Sequence, residues 1–305
     1  MPTLDPGRRR ILTGLLGLGS LALASCAAQR QSPPTPASTP APDAASAPTV
    51  GSSPSPTPTA ASFPTRTQVL ARHKGQPAGE FGLEVTGIEL GLPAKARGAA
   101  LSFDACGGPG GEGYDAALIK ALRQHQAPAT LFINRRWAKA NTSLVRELAA
   151  DPLFEIANHG TTHAPLATRG QSAYGIPGTA DSGAAYDEVM DNQHYLADKF
   201  GIQARFFRSG TAHMDELGAA LCREVGLIPM NFTVNLDAGA TFPAGTVTAQ
   251  TMLLAAGDVG IGHFNRPGSG TAAGVAHALP GLLENLASAK LSLLKLSEAF
   301  APAGS

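Results

Sequence analysis

Short apolar segments alternate with amphipathic helical patterns about seven times along this chain, and this alternation limits the folds available to it. Compact apolar runs at 99–103, 129–133, 154–157 and 259–262 are typical of buried strands. The intervening segments have helical spacing, as in 115–125, where apolar side chains form one stripe. Strands and helices that alternate in this way indicate parallel β/α units, so we predict an α/β barrel.

Ionisable side chains stand where several of these strands end. In parallel β/α barrels the catalytic groups gather at the carboxyl ends of the strands. We therefore predict that one site is formed by the residues at these ends, namely Asp104, His159, His163, Arg208, Asp237 and His263.

The segment FEIANHGTTH, at 154–163, carries two of these residues. His159 and His163 follow a predicted strand and are four residues apart, so their imidazoles can converge on one metal ion. One helical turn would place them on the same face. The alternative is that they are two unrelated polar histidines in a loop.

Less regular patterns extend the predicted framework. A Gly-rich excursion at 164–183 is longer than most loops, and such loops are usually functional or disordered. We predict further strands at 81–90, 205–207, 227–234 and 291–296, and further helices at 137–150, 184–200, 213–225, 248–256 and 271–287.

The first residues are typical of an export signal. Residues 1–26 combine three arginines, at 8–10, with an apolar stretch at 11–24. The arginines resemble the twin-arginine export pattern. The sequence LASC, which ends at Cys26, resembles a lipobox, in which the cysteine is lipidated. An ordinary cleaved signal with an incidental Cys26 is the alternative.

A linker rich in Pro, Ser, Thr and Ala follows at 27–65, and we expect it to be disordered because it contains too few large apolar residues to bury. The remaining residues, 66–305, suit one large α/β domain. These features predict an exported lipoprotein of the bacterial cell envelope, in the periplasm or on the outer surface, held to the membrane through Cys26. The formal net charge is zero, and beyond the signal there is no basic run to indicate nucleic-acid binding. Cys106 and Cys222 could pair.

Five segments, in order, resemble motifs of the polysaccharide deacetylase (NodB-homology, carbohydrate esterase family 4) family. SFD at 102–104 resembles the start of its TFDDG motif, and HGTTH at 159–163 resembles its H(S/T)xxH metal motif. FRSG at 207–210 resembles its arginine motif, Asp237 stands where its fourth motif has an aspartate, and IGH at 261–263 resembles its closing LxH motif. The resemblance covers residues from about 99 to 296.

The resemblance implies a deformed (β/α) barrel of about seven strands and a metal-dependent hydrolase that removes N- or O-linked acetyl groups from a polysaccharide. Its metal ligands would include His159 and His163, and two histidines with an oxygen or sulfur donor suit zinc. It also implies that Asp104 is the general base, that Arg208 orients Asp104, that His263 is the general acid, and that Asp237 orients a catalytic partner.

One departure concerns the metal. The second aspartate of TFDDG is a ligand in the family, and this chain has Ala105 there. Asp104, a water, a loop carboxylate such as Asp181, or the thiolate of Cys106 could complete the site, although adjacent strand residues point in opposite directions, which argues against Cys106. The arginine motif also lacks its usual proline and aromatic residue.

Two other functions remain open. A non-catalytic carbohydrate- or peptidoglycan-binding protein could keep the fold and lose a ligand, and Ala105 favours this alternative. A hydrolase of the same fold could also act on another C–N bond.

Overall fold

The computed structural model describes residues 63–301. The expected signal 1–26, with Cys26, and nearly all of the expected linker 27–65 lie outside these residues. No helix in the described range is long and apolar enough to cross a bilayer.

Seven parallel strands form a curled sheet in the order β7-β5-β4-β3-β2-β9-β8, and β10 pairs beside the start of β2. A separate antiparallel pair joins β1 to β6. The strands are β1 Phe81–Gly82, β2 Gly98–Ala105, β3 Ala129–Ile133, β4 Phe154–Asn158, β5 Phe206–Phe207, β6 Met214–Asp215, β7 Ile228–Pro229, β8 Val234–Asn235, β9 Val259–His263 and β10 Ser292–Leu293.

Helices connect and cover these strands. They are α1 Arg66–His73, α2 Ala116–Gln124, α3 Arg135–Ala140, α4 Thr142–Ala150, α5 Ser182–Phe200, α6 Glu216–Glu224, α7 Ala244–Thr251, α8 Gly270–Ser288 and α9 Leu296–Ala299. This arrangement confirms the predicted α/β deformed barrel.

Alternate residues of β2 face opposite layers of the molecule, as the pleat of a strand requires. Leu101, Phe103 and Ala105 pack into the apolar layer beneath the outer helices. Ala100 packs in a second apolar cluster with residues of the neighbouring strands. Asp104 lies on the same face as Ala100, and this register decides which side chains of the strand end reach the site.

The predicted strand 227–234 is wrong as a single element. It is divided into β7, which pairs with β5, and β8, which pairs with β9. These are the two ends of the sheet, so residues 230–233 cross between its edges and bring the sheet round into an incomplete barrel. The carbonyls of Met230 and Asn231 bind the Arg208 guanidinium on this crossing.

Three helix predictions also need correction. The predicted helix 137–150 is two helices, because Asn141 has a non-helical backbone and its side chain bonds to the Trp137 carbonyl. The helix predicted from 213 begins at Glu216, since Asp215 caps it by accepting from the Gly218 N–H at 2.7 Å. The helix predicted at 248–256 begins earlier, after Pro243.

The predicted strands at 81–90 and 291–296 are much shorter than expected. Only Phe81–Gly82 of the first is a strand, and a turn at Gly87, with φ of 97°, interrupts the rest. The second keeps Ser292–Leu293 and then continues into α9.

Candidate active site

A cavity of about 570 Å³ opens at the carboxyl ends of the strands, and Asp104, Cys106, His163 and His263 are among its lining residues. Asp104 and His263 lie at the ends of two adjacent strands, β2 and β9, and are directly paired in their register. The sheet therefore brings two distant motifs to one place because both strands end at the same level.

Asp104 and Arg208 form a buried ion pair beneath the cavity, with 2.7 Å between Oδ1 and Nη1. Arg208 is fully buried and also donates to Ser102 Oγ and to two main-chain carbonyls. Its guanidinium lies 4.0 Å from the centre of the Phe132 ring. Burial alone would raise the pKa of Asp104, but Arg208 and His159 lower it below its ordinary value. Asp104 is consequently a carboxylate held in one orientation.

His159 presents a defined nitrogen to the site. Its Nδ1 lies 2.9 Å from the carbonyl oxygen of Arg208, which can only accept, so Nδ1 carries the proton. In the neutral imidazole the lone pair is then on Nε2, which lies 3.6 Å from Asp104 Oδ2 and 3.8 Å from Cys106 Sγ. A main-chain partner of this kind is the usual way in which a metal-binding histidine is fixed.

The loop that carries His159 and His163 is not helical, so the expectation of one helical turn is wrong. The two rings meet edge to face with 4.9 Å between their centres, and His163 has a positive φ of 66°. A tight turn of the loop brings the two histidines together instead.

Glu188, on α5, determines the shape of this loop. Its buried carboxylate accepts hydrogen bonds from the backbone N–H groups of Thr161, Thr162, His163 and, at 3.3 Å, Ala164. The first three of these bonds are 2.9 Å long. Sequence reasoning missed this residue, because a glutamate inside a helical pattern carries no local signal of its partner.

Two glycines allow the loop to approach its neighbours. Gly160 has φ of 75°, and a Cβ there would overlap Glu188 Oε1 within 2.5 Å. Gly210, which stands where the arginine motif usually has proline, packs so closely on His163 that a Cβ would collide with its carbonyl oxygen. The departure at Gly210 is therefore part of how the second histidine is placed.

Cys106 provides a third donor. The sulfur of Cys106 and one ring nitrogen each of His159 and His163 lie within 4.8 Å of one another. Ala105 points to the opposite side and is buried in the apolar layer with Ile133. The alternation argument against Cys106 is therefore wrong, since alternation turns Ala105 away from the site and places Cys106 on the same side as Asp104.

The donor set suits a catalytic metal. One thiolate and two imidazoles are three protein ligands of the kind that zinc prefers, and they leave a fourth position open. Burial alone would raise the pKa of the Cys106 thiol, but contacts with His159, His163 and His263 bring it well below its usual range. The sulfur is thus available as a thiolate.

Asp181 does not belong to this site. It caps the N-terminus of α5 by accepting from the Ala184 N–H at 2.9 Å. Cys222 lies buried in a separate apolar cluster, and both it and Cys106 are free thiols.

His263 and Asp237 form a second pair at the cavity, in which Asp237 is buried and His263 is partly exposed. His263 Nδ1 lies 2.9 Å from Asp237 Oδ1, while Asp237 Oδ2 accepts from the His263 N–H and from Thr271 Oγ1. Burial by itself would lower the pKa of His263, but the bond to Asp237 and the sulfur of Cys106 raise it well above its ordinary value. The pair therefore keeps His263 protonated and directs its Nε2 away from Asp237.

Comparisons with known proteins agree with the fold. The family model described as Polysaccharide deacetylase matches residues 92–228. None of the curated proteins compared with the chain matches it.

Several solved structures have a similar fold. A peptidoglycan N-acetylglucosamine deacetylase is 20% identical, with a TM-score of 0.56, and the match covers 70% of this chain and 92% of that chain. A family 4 carbohydrate esterase pseudoenzyme from Bacillus anthracis is 15% identical, with a TM-score of 0.56, over 72% of this chain and 69% of that one. A family 4 carbohydrate esterase from Bacillus anthracis is 16% identical, with a TM-score of 0.52, over 79% and 94%.

Proposed function

We propose that the chain is a divergent member of the polysaccharide deacetylase family, whose model matches residues 92–228, and that it is a metal-dependent hydrolase that removes acetyl groups from a cell-envelope or extracellular polysaccharide. The observation that carries this proposal is the convergence of a three-donor cluster, a carboxylate and an imidazole on one cavity. Deacetylation requires a water nucleophile, a base for its proton and an acid for the leaving group.

Cys106, His159 and His163 would hold the metal, and zinc fits this donor set. When bound, such a metal polarises the acetyl carbonyl and lowers the pKa of water to about 7. Glu188 maintains the backbone of the loop between the two histidines, so it acts as a positioning residue.

Asp104 is the proposed general base. Arg208 occupies its Oδ1, which leaves Oδ2 facing the metal-binding histidine and able to accept a proton from water. Because Arg208 keeps the pKa of Asp104 low, the carboxylate is ready to accept at neutral pH.

His263 is the proposed general acid. Asp237 accepts a hydrogen bond from Nδ1–H and orients the ring, so Nε2 can donate a proton to the amine or alcohol that leaves. The raised pKa of His263 keeps this proton in place at neutral pH.

A second function is favoured by one observation. The family's ligand aspartate is absent at Ala105, and a solved protein of the same fold is described as a pseudoenzyme. A chain that does not hold the metal could still bind polysaccharide in the same cavity.

We also propose a location. The export signal and the lipobox at Cys26 would make the protein a lipoprotein attached to the cell-envelope membrane, with residues 27–65 as a spacer to the domain. Cys26→Ala should then move the protein from the membrane fraction to the soluble exported fraction.

Acetate release tests the proposed activity. The purified protein, reconstituted with zinc, is incubated with N-acetylglucosamine oligomers and with acetylated xylan, and acetate is quantified. Release by the wild type but not by His263→Ala supports a deacetylase. Binding of these glycans without any release of acetate would overturn the enzymatic proposal in favour of the binding protein.

A further inference from the structure

An exposed tyrosine stands at the mouth of the cavity. Tyr174 is 79% exposed and contributes to the cavity wall. It belongs to the Gly-rich excursion 164–183, which none of the proposed catalytic roles uses. Ligand pockets are commonly lined by aromatic side chains.

The backbone fixes the position of this side chain. Ala173 and Ile176 exchange hydrogen bonds of 3.1 and 2.9 Å, so the residues between them form a two-residue turn. Tyr174 has φ of 53° and Gly175 has φ of 75°, which are signs typical of a type I′ turn. A tyrosine is strained in this left-handed region, where Asn, Asp or Gly is usual, and such strain often accompanies a functional role.

A second aromatic ring supports the tyrosine. The Tyr174 ring meets the His213 ring edge to face, with 5.2 Å between centres and an angle of 88°. His213 is itself fixed, because its Nδ1 donates to the Thr211 carbonyl at 2.8 Å and its ring lies 5.8 Å from that of Phe81. The His213 ring, which is itself fixed by these contacts, therefore holds the exposed Tyr174 ring in place.

The rest of the cavity combines apolar and polar walls. Leu83 and Phe232 provide apolar surface, while Asn235, Asn265 and Arg266 provide polar groups. A pyranose has the same division, with apolar C–H groups on its faces and hydroxyls around its edge. A volume of 570 Å³ is within the range of about 300–1,000 Å³ usual for ligand sites.

We propose that Tyr174 is the surface on which a pyranose ring of the polysaccharide stacks, beside the sugar that carries the acetyl group. This inference rests on the proposed function, because it names how the same cavity recognises its glycan.

Binding can be measured apart from hydrolysis. The pentamer of N-acetylglucosamine is titrated into His263→Ala protein, which lacks the proposed acid, and into the same protein carrying Tyr174→Gly, Tyr174→Phe or Ile176→Ala. Tyr174→Gly removes the ring and relieves the backbone strain, so it should weaken binding by about tenfold or more, the scale of a lost aromatic contact, while the thermal midpoint stays the same or rises.

The two other variants are matched controls. Tyr174→Phe keeps the ring and should bind within about twofold of its parent, because the stacking face is unchanged. Ile176 lies in the same turn and does not line the cavity, so Ile176→Ala should leave binding unchanged. Equal affinity in Tyr174→Gly and its parent, or no binding by the parent, would overturn the inference.

Steady-state kinetics separate this inference from the proposed function. In the otherwise wild-type enzyme, Tyr174→Gly should raise KM with little change in kcat. Acetate release with an unchanged KM would reject Tyr174 as the sugar contact and keep the deacetylase. Binding that depends on Tyr174 without any release of acetate would keep Tyr174 as the sugar contact and reject the deacetylase.

Discussion

The carboxylate of Glu188 accepts a 2.9 Å hydrogen bond from the backbone N–H of His163, which lies 25 residues before it in the chain. The same carboxylate accepts from Thr161, Thr162 and Ala164, so one buried acid organises the whole turn between the two histidines. The geometry of the proposed metal site therefore depends on a residue that bonds to the backbone of the loop and not to the three donor atoms.

Glu188→Gln should weaken metal binding by about 10–100-fold, the usual effect of losing an outer partner of a metal site. An amide has only one acceptor oxygen, and its NH₂ group would face the N–H groups of the loop. Zinc affinity measured by competition with a chelator checks this. Asp187→Asn is the matched control, because it removes the same charge from the adjacent, exposed position. Equal zinc affinity in wild type and Glu188→Gln would contradict this role.

The strands that carry the site could be predicted from sequence because they are continuous apolar runs buried on both faces. Strand β3 has the predicted bounds, and β2, β4 and β9 differ from them by at most two residues at either end. Asp104, His159 and His263, which lie at the ends of these strands, are also close together, with 3.6 Å between His159 Nε2 and Asp104 Oδ2.

The remaining features depend on long-range contacts. Glu188 could not be predicted because its partners lie on a loop in another part of the chain. Strand alternation argues against Cys106 only when it is counted from Ala105, because a shift of one residue reverses the direction of every side chain. The short strands β7 and β8 looked like one strand because an apolar crossing segment has the same composition as a buried strand.

His263→Ala should lower kcat for acetate release by about 10²-fold or more, the usual scale for losing a group that transfers a proton. The fold should survive, because the Asp237 carboxylate still accepts from the backbone N–H of residue 263 and from Thr271 Oγ1. His194→Ala, at an exposed position of α5, is the control and should leave the rate unchanged. A wild-type rate in folded His263→Ala would reject the assignment of the acid.

Asp104→Asn should reduce activity on a similar scale and should also destabilise the protein. The amide is close in shape, but it leaves the fully buried Arg208 guanidinium without a counter-charge. Breaking a buried ion pair in this way costs about 3–5 kcal/mol of unfolding free energy. Urea unfolding measures this loss, and a variant with wild-type stability would show that the pair is not energetically coupled.

Asp237→Asn should move the alkaline limb of the pH–rate profile to lower pH. His263 must be protonated to act as an acid, and its raised pKa keeps it protonated to higher pH. Removing the Asp237 charge lowers the pKa of His263, so activity is lost earlier as the pH rises. Thr271→Val removes only a neutral donor to Asp237 and should shift the limb much less. An unshifted limb in Asp237→Asn would exclude His263 as the titrating acid.

An aspartate at position 105 and an aspartate at position 106 should affect stability and metal binding in opposite ways. Ala105→Asp buries a carboxyl in the apolar layer and should cost about 4 kcal/mol or more of stability without improving metal binding. Cys106→Asp puts the carboxylate on the side of the histidines and should retain a bound metal. Thermal unfolding and metal content of the two purified variants check this. Tighter metal binding by Ala105→Asp would mean that residue 105, and not residue 106, faces the two histidines.

The central claim, that Cys106 replaces the missing aspartate as a metal ligand beside His159 and His163, is tested most directly by the electronic spectrum of the protein reconstituted with one equivalent of Co²⁺. We expect a thiolate-to-cobalt charge-transfer band in the near ultraviolet, present in wild type and in Cys222→Ala and absent from Cys106→Ser. Stoichiometric cobalt without a thiolate band in the wild type, or no stoichiometric cobalt at all, would contradict the account.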